Sequence, residues 1–276
     1  MSRGEAFRRL HRPGEPLLLP NAWDVASAAL FAASGFPAVG TTSLGVAAAA
    51  GRPDGRAATR AETLALAERL AGLPCLLSVD LEGGFDTDPA AVAETARRLH
   101  DCGVVGINLE DGRSDGTLAP VAQQRSVIAA VKAAVPDLFV NARTDTFWLA
   151  ARPPISVDGT VRRLAAYAAA GADGVFVPGL TDPGLIERLV RAVDRPVNLL
   201  VSPSGPGLRQ LAELGVARVS CGSLLFRAAL TAAVRALNAI ATDGPLPAGT
   251  LRYEQVQGLA EMLTGESGTR AGGGRP

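Results

Sequence analysis

The side chains of this 276-residue chain that could do chemistry fall at the ends of short apolar runs. In chain order they are Asn21 and Asp24, then Thr41, Thr42 and Ser43, then Asp80 and Glu82. Asn108, Glu110 and Asp111 follow, then Asn141, Arg143 and Asp145, then Asn198 and Ser202, and last Ser220, Cys221 and Ser223. Acids and amides with few nitrogen or sulfur donors suit a hard divalent cation. Mg²⁺ takes one or two carboxylates and leaves its other positions to water and substrate oxygens. Asp80 and Glu82 lie two apart and share one side of an extended strand, if the strand runs on that far. Glu110 and Asp111 are adjacent and oppose each other, and Glu110, in step with Asn108, is expected to face inward. Arg143 supplies a planar fork for a carboxylate or an oxyanion. A single Asp at a strand end serves as readily as a helix cap; it is the recurrence at three strand ends, together with Arg143, that argues for a site.

Other chemistries are removed by scarcity. The only lysine, Lys132, falls inside a helical stretch, so no Schiff-base nucleophile stands at a strand end. His11 precedes the first apolar run and His100 ends a helical stretch, which leaves no histidine as general base or zinc ligand. Cys75, Cys102 and Cys221 are too widely spaced for a metal or redox motif and read as free thiols of a reducing compartment. With 27 basic and 27 acidic residues the formal net charge is zero, so nucleic acid and anionic membrane are not expected as partners. The charged first twelve residues lead into no signal-like apolar run, and no stretch is expected to reach the ~18 to 20 apolar residues of a spanning helix. A cytoplasmic enzyme with a small-molecule substrate is the expectation.

The elements that must position these groups alternate. Apolar runs at 16–20, 37–41, 75–80, 105–110, 138–143, 174–178, 196–202 and 217–221 predict eight strands. Helical stretches at 60–71, 89–101, 120–134, 158–170, 183–193 and 207–214 lie between them. That order makes the chain α/β, and its repeat length suits a (β/α)8 TIM-type barrel with an additional C-terminal helix, whose site gathers at the carboxyl ends of the strands. No G-x-G-x-x-G turn follows the first run, which argues against an open doubly wound sheet. The expected organisation is a barrel over 1–245, a C-terminal helix over 246–264 packing on the barrel or on a neighbouring subunit, and a disordered Gly-rich tail over 265–276.

The segments LPNAWDVASA, GTTSLG leading to GRPDG, SVDLEGGF, INLEDG, VNARTD and GADGVFVPG together resemble the isocitrate lyase and phosphoenolpyruvate mutase superfamily over residues 8–240. The resemblance implies that Thr42, Ser43 and Leu44 contact an oxo-acid carboxylate and that Asp54 is the acid working near the reacting centre. It implies Mg²⁺, or Mn²⁺ in its place, associated with Asp80, with Glu82 and Glu110 completing the carboxylate shell through water. Arg143 matches the arginine that binds substrate carboxylate and enolate oxygen; Asn198, at the end of the seventh run, is counted with the substrate-binding set. Members commonly assemble as tetramers by exchanging a C-terminal helix, which would place such a helix after Leu224.

Two departures qualify what is carried over. Glu82 stands where the family has a second aspartate, and DGRSDGTLAP stands where the isocitrate and methylisocitrate lyases carry K-K-C-G-H. The lysine-containing loop of the phosphonopyruvate mutases is missing as well. The reading that results is a Mg²⁺-dependent carbon–carbon lyase or decarboxylase acting on a small 2-oxo or 2-hydroxy acid through an enolate. A phosphonomutase or P–C bond hydrolase using the same enolate, a barrel binding a phosphorylated ligand at SPSGPG and SCGS, and a non-catalytic oxo-acid-binding barrel are the rivals.

Overall fold

The computed structural model describes residues 1–149 and 155–264; the tail expected at 265–276 lies outside the described residues. The strands are β1 (Leu17–Leu19), β2 (Asn21–Ala22), β3 (Ala38–Thr41), β4 (Leu76–Asp80), β5 (Gly106–Glu110), β6 (Phe139–Arg143), β7 (Gly174–Phe176), β8 (Val197–Leu200) and β9 (Arg218–Ser220). All pairings are parallel, in the order β1-β9-β8-β7-β6-β5-β4-β3-β2. Pro20 separates β1 from β2 and has no N–H to give, but its carbonyl accepts from Gly40 N at 2.8 Å. β1 pairs with β9 and β2 with β3, so the two pieces form one staggered strand that closes the sheet. The result is the expected eight-stranded barrel.

The helices are α1 (Arg3–Arg9), α2 (Val25–Ala33), α3 (Ser43–Ala49), α4 (Arg60–Arg69), α5 (Pro89–Asp101), α6 (Val121–Ala134), α7 (Val157–Ala169), α8 (Pro183–Ala192), α9 (Leu208–Glu213), α10 (Leu224–Ala241) and α11 (Tyr253–Thr264). Local chemistry sets several of their starts. Asp88 and Asp182 cap α5 and α8 through their carboxylates, each with proline at the first helical position. Asp24 and Ser27 form a reciprocal capping box on α2. Between strands and helices lies a continuous layer of Val, Leu, Ile and Ala, among them Val79, Ile107, Leu109, Val140 and Val175.

A second, smaller apolar cluster fills the barrel itself: Phe7, Leu17, Leu19, Ala38, Val105 and Phe139. Phe7 comes from α1, a helix the apolar pattern does not predict, and it meets Phe139 edge-on at 5.4 Å. Gly106 makes room for it, since a Cβ there would lie 2.6 Å from the Phe7 ring. His11, just beyond α1, stacks on Phe139 at 4.3 Å, and its Nδ1 hydrogen-bonds the Phe7 carbonyl at 2.9 Å. The amino end of the barrel is thus closed by packing and the opposite end is left for chemistry.

One sequence expectation is corrected here. α10 has 18 residues and a mean hydropathy of 1.5, long and apolar enough by length and composition to cross a membrane. Its Leu230, Val234, Leu237 and Ile240 are each more than half exposed. Their spacing of three and four residues makes a stripe along one side, the pattern of a face that docks on a partner. In α11, Leu259 is buried, and the helix packs on α2.

Burial pulls the His11 pKa down to about 3, with the charge of Arg218 acting in the same direction. Between that value and the ordinary 6.5 the unfolded chain binds the proton and the folded chain does not, so stability falls as the pH drops through this window. Wild-type protein is expected to lose up to about 1.4 kcal/mol more per pH unit than a His11→Phe variant below about pH 6. Urea unfolding at a series of pH values measures this; parallel curves for the two proteins would show that His11 is not held neutral.

Candidate active site

A cavity of about 330 Å³ opens at the carboxyl ends of the strands. Residues two apart along each strand reach it from the same side: Asp80 from β4, Asn108 and Glu110 from β5, Arg143 from β6, Phe176 from β7, Leu200 from β8 and Ser220 from β9. Thr42, Ser43 and Leu44 reach it from the start of α3, Asp54 from the loop beyond, and Asp145 and Trp148 from the loop after β6. Acids crowd the β3 to β5 side, while Trp148, Phe176 and Leu200 form an apolar wall opposite.

Asp80 ends β4, where its backbone N–H donates to Thr41 Oγ1 at 2.9 Å. Its Oδ2 accepts from Ser43 N at 3.2 Å, while Oδ1 is buried with no hydrogen-bond partner. Asp54 stands exposed at the cavity rim; partial desolvation and the charge of Asp80 push its carboxyl above the ordinary range, against a hydrogen bond from Ser43. Arg143 is clamped from two sides. Its Nη1 lies 2.7 Å from Glu110 Oε2, and its Nε and Nη2 donate to the two oxygens of Asp145 at 2.6 and 3.0 Å. Those two acids hold the guanidinium charged against the opposing effect of burial. Burial raises the Glu110 carboxyl well above its usual range in spite of Arg143, and Asp145, Asp80 and Glu82 add repulsion.

The clamp has a backing. Asp111, pointing away from the cavity as its adjacency to Glu110 predicts, accepts from Thr144 Oγ1 (2.7 Å), Asp145 N (2.9 Å), Arg163 Nε (3.0 Å) and Tyr167 OH (2.7 Å). The last two donors come from α7, so the helix fixes the backbone that aims Asp145 at Arg143. Gly112 lets the Asp145 carboxylate pass, because a Cβ at that position would overlap Asp145 Oδ2.

Two of the sequence-predicted residues sit elsewhere. Glu82 does not line this cavity: β4 ends at Asp80 and the chain turns, with Glu82 at φ 49° and Gly84 N bonded to Leu81 O. The two-residue period therefore fails, and Glu82 accepts from Ala57 N at 3.0 Å and Thr59 Oγ1 at 2.9 Å, tying down the loop that carries Asp54. Asn198 lies below the floor, buried, accepting from Ser220 Oγ at 3.1 Å; Leu200, two residues on, reaches the cavity in its place. Among the described residues no three acids, histidines or cysteines converge as a ready ligand set, so the expected carboxylate shell reduces to Asp80 as the acid with a free oxygen. The sequence reading turned Glu110 and Arg143 inward and Asp111 away, as found, but gave Asp145 no role beyond its place at a strand end and passed over Arg218. Position 218 shares the alternation of Ser220 within ARVSC, the signal that could have marked it as interior.

Comparisons with known proteins agree with this architecture. The chain is 44% identical over 252 residues to an uncharacterized protein of Mycobacterium tuberculosis, a match covering 91% of this chain and 95% of that one. It is 33% identical over 207 residues to the 2-methylisocitrate lyase of Bacillus subtilis, covering 71% of this chain and 65% of the relative. A crystal structure from Burkholderia cenocepacia, assigned as a phosphonomutase, superposes with a TM-score of 0.81 at 40% identity, over 86% of this chain and 97% of that one. Residues 7–241 match the profile of phosphoenolpyruvate phosphomutase. The chain belongs to the phosphoenolpyruvate phosphomutase family, within the isocitrate lyase and phosphoenolpyruvate mutase superfamily.

Proposed function

We propose that this protein is a carbon–carbon lyase or decarboxylase that acts on a small 2-oxo or 2-hydroxy carboxylic acid through an enolate, with Mg²⁺ or Mn²⁺ as its cofactor. The observation that carries this reading is the buried, unpartnered Oδ1 of Asp80 facing a cavity that also holds Asp54 and Arg143. A hard cation held by one carboxylate, with waters and substrate oxygens for the rest, fits such an oxygen. Glu110, which lines the same cavity, would act behind it through water. When bound, the metal supplies Lewis-acid polarisation of the substrate carbonyl.

The chain's own residues do the rest. Thr42, Ser43 and Leu44 hold the substrate carboxylate through the Leu44 N–H and the two hydroxyls, since the Ser43 N–H is bonded to Asp80 and the Thr42 N–H to Ala22. Arg143, already immobilised by Glu110 and Asp145, meets the oxygen on which negative charge develops, a donor that needs no reorganisation during the reaction. Release of the C4 carboxylate of a 2-oxo acid as CO2 breaks the C3–C4 bond and leaves its electron pair in the C2–C3 enolate. Asp54, whose raised carboxyl retains a proton further toward neutral pH, returns one to C3. The lyase relative from Bacillus subtilis supports the bond type. A phosphonate substrate is the second reading, favoured by Arg56 and Arg113 at the cavity wall and by the phosphonomutase assignment of the Burkholderia structure.

We further propose assembly into a homotetramer by exchange of the C-terminal helical region, supported by the exposed stripe on α10. A reducing, cytoplasmic setting suits the free thiols of Cys75, Cys102 and Cys221.

In a panel of Mg²⁺-supplemented 2-oxo and 2-hydroxy acids that includes phosphonopyruvate, Asp80→Ala is expected to lower kcat/KM at least about 10³-fold. Unchanged turnover would remove the proposed chemistry, turnover of phosphonopyruvate alone would select the second reading, and oxalate binding with no turnover of any member would leave a binding barrel. For the assembly, Leu230→Glu combined with Leu237→Glu is expected to convert tetramer to monomer in light scattering; a monomeric wild type would end that proposal.

A further inference from the structure

Below the cavity floor the barrel interior contains a cation that the reading above does not use. Arg218 is 1% exposed and ranks first by volume among the fully buried side chains. Its Nε donates to Ser220 Oγ at 3.0 Å and its Nη2 to Asn108 Oδ1 at 3.2 Å, while Nη1 is buried without a partner. Among the described residues it makes no ion pair. Ser220 and Asn108 both line the cavity, so the two groups that Arg218 grips are parts of the floor. Asn141 Nδ2 also donates to Asn108 Oδ1, at 2.9 Å, and the Ser220 hydroxyl donates to Asn198 Oδ1, which makes a continuous hydrogen-bonded layer with Arg218 as its only charge.

Packing alone gives no reason for this residue. Below it lie Leu17, Leu19 and Phe139, and an apolar side chain at 218 would simply extend that cluster. A buried charge without a counterion is a net cost to folding, often removed with a gain in stability when an apolar residue takes its place. Burial lowers the Arg218 pKa to about 9, which still leaves it protonated at neutral pH, and Asp80 is the carboxylate whose charge it feels. Beneath it His11 stays neutral, partly because Arg218 is there. The positive charge thus faces upward, toward a cavity that must accept an anion.

We infer that Arg218 is a positioning residue for the site: it orders Asn108 and Ser220 on the floor, and its charge, engaged in no ion pair among the described residues, favours an anionic ligand over a free cation in the cavity. This rests on the functional reading above in so far as the ligand is a carboxylate anion. It makes the two binding events respond with opposite sign, a pattern that damaged packing cannot imitate.

The test titrates wild type, Arg218→Met and Arg218→Lys by calorimetry, first with Mg²⁺ alone and then with oxalate at saturating Mg²⁺, alongside thermal unfolding. Arg218→Met is expected to weaken oxalate about tenfold or more while Mg²⁺ alone binds a few-fold more tightly. Its melting temperature should be no lower than that of wild type, and Arg218→Lys should recover most of the oxalate affinity. Joint weakening of oxalate and Mg²⁺, or unchanged oxalate affinity, overturns the inference. Should Arg218→Met not fold, Arg218→Gln is read the same way, and failure of both to fold assigns the residue to the core and overturns it as well. A wild-type protein that binds Mg²⁺ but not oxalate would sink the functional reading first, and that outcome is separate because it appears before any variant is compared.

Discussion

Like charges that face one cavity repel each other, and at this barrel mouth Asp54, Asp80, Glu110 and Asp145 line the same cavity from four different segments. Arg143 is what allows it. Its guanidinium satisfies Glu110 on one side and both oxygens of Asp145 on the other, in surroundings where each partner is at most 14% exposed. Breaking one half of such a buried arrangement leaves a charge stranded, which typically costs about 3 to 5 kcal/mol. The same clamp that stabilises the mouth also removes the rotational freedom of the arginine, so the cavity is lined by a guanidinium already fixed in place.

That geometry is enforced from outside the barrel. Asp111 gathers donors from β6's following loop and from α7, and through the Asp145 N–H it fixes where the clamp begins. Glu82 does the corresponding work on the other side by securing Ala57 and Thr59, which anchors the loop that brings Asp54 to the cavity. Two of the acids in the sequence motifs are therefore supports for the groups that line the cavity. Their carboxylates are spent on backbone N–H groups and hydroxyls, and this is why a count of acids overstates the number available to a cation.

How much was legible in the chain varies with the range of the interaction. The parity of β4, β5 and β6 correctly turned Asp80, Glu110 and Arg143 inward, because side-chain direction in a strand is set by the pleat and by nothing further away. The same rule failed at Glu82, where the pleat had already ended in a left-handed turn. At Asn198 the parity was right but the depth was wrong. Inward residues on neighbouring strands sit at different heights because a barrel is sheared, so Asn198 pairs across with Arg218 under the floor while Leu200 rises to the cavity. α1 was invisible to a period search because only Phe7 and Gly4 of its seven residues are buried.

By itself the sequence determined the alternation of strands and helices, the closed parallel barrel, the family and the end of the barrel that carries the chemistry. All of these follow from local periodicity, from capping residues and from short motifs whose meaning does not depend on distant partners. Only the tertiary structure decided which acids are free: Asp80 keeps an unpartnered oxygen, Glu110 and Asp145 are bound to Arg143, and Glu82 and Asp111 are bound to backbone and helix donors. It also decided that Arg218, unremarkable among 27 basic residues, is buried beneath the cavity floor with no ion pair among the described residues. The physical reason is the same for both. Whether a polar group is satisfied depends on partners far away in the chain, 110 positions for Arg218 and Asn108, and such distances are closed only by the folded sheet.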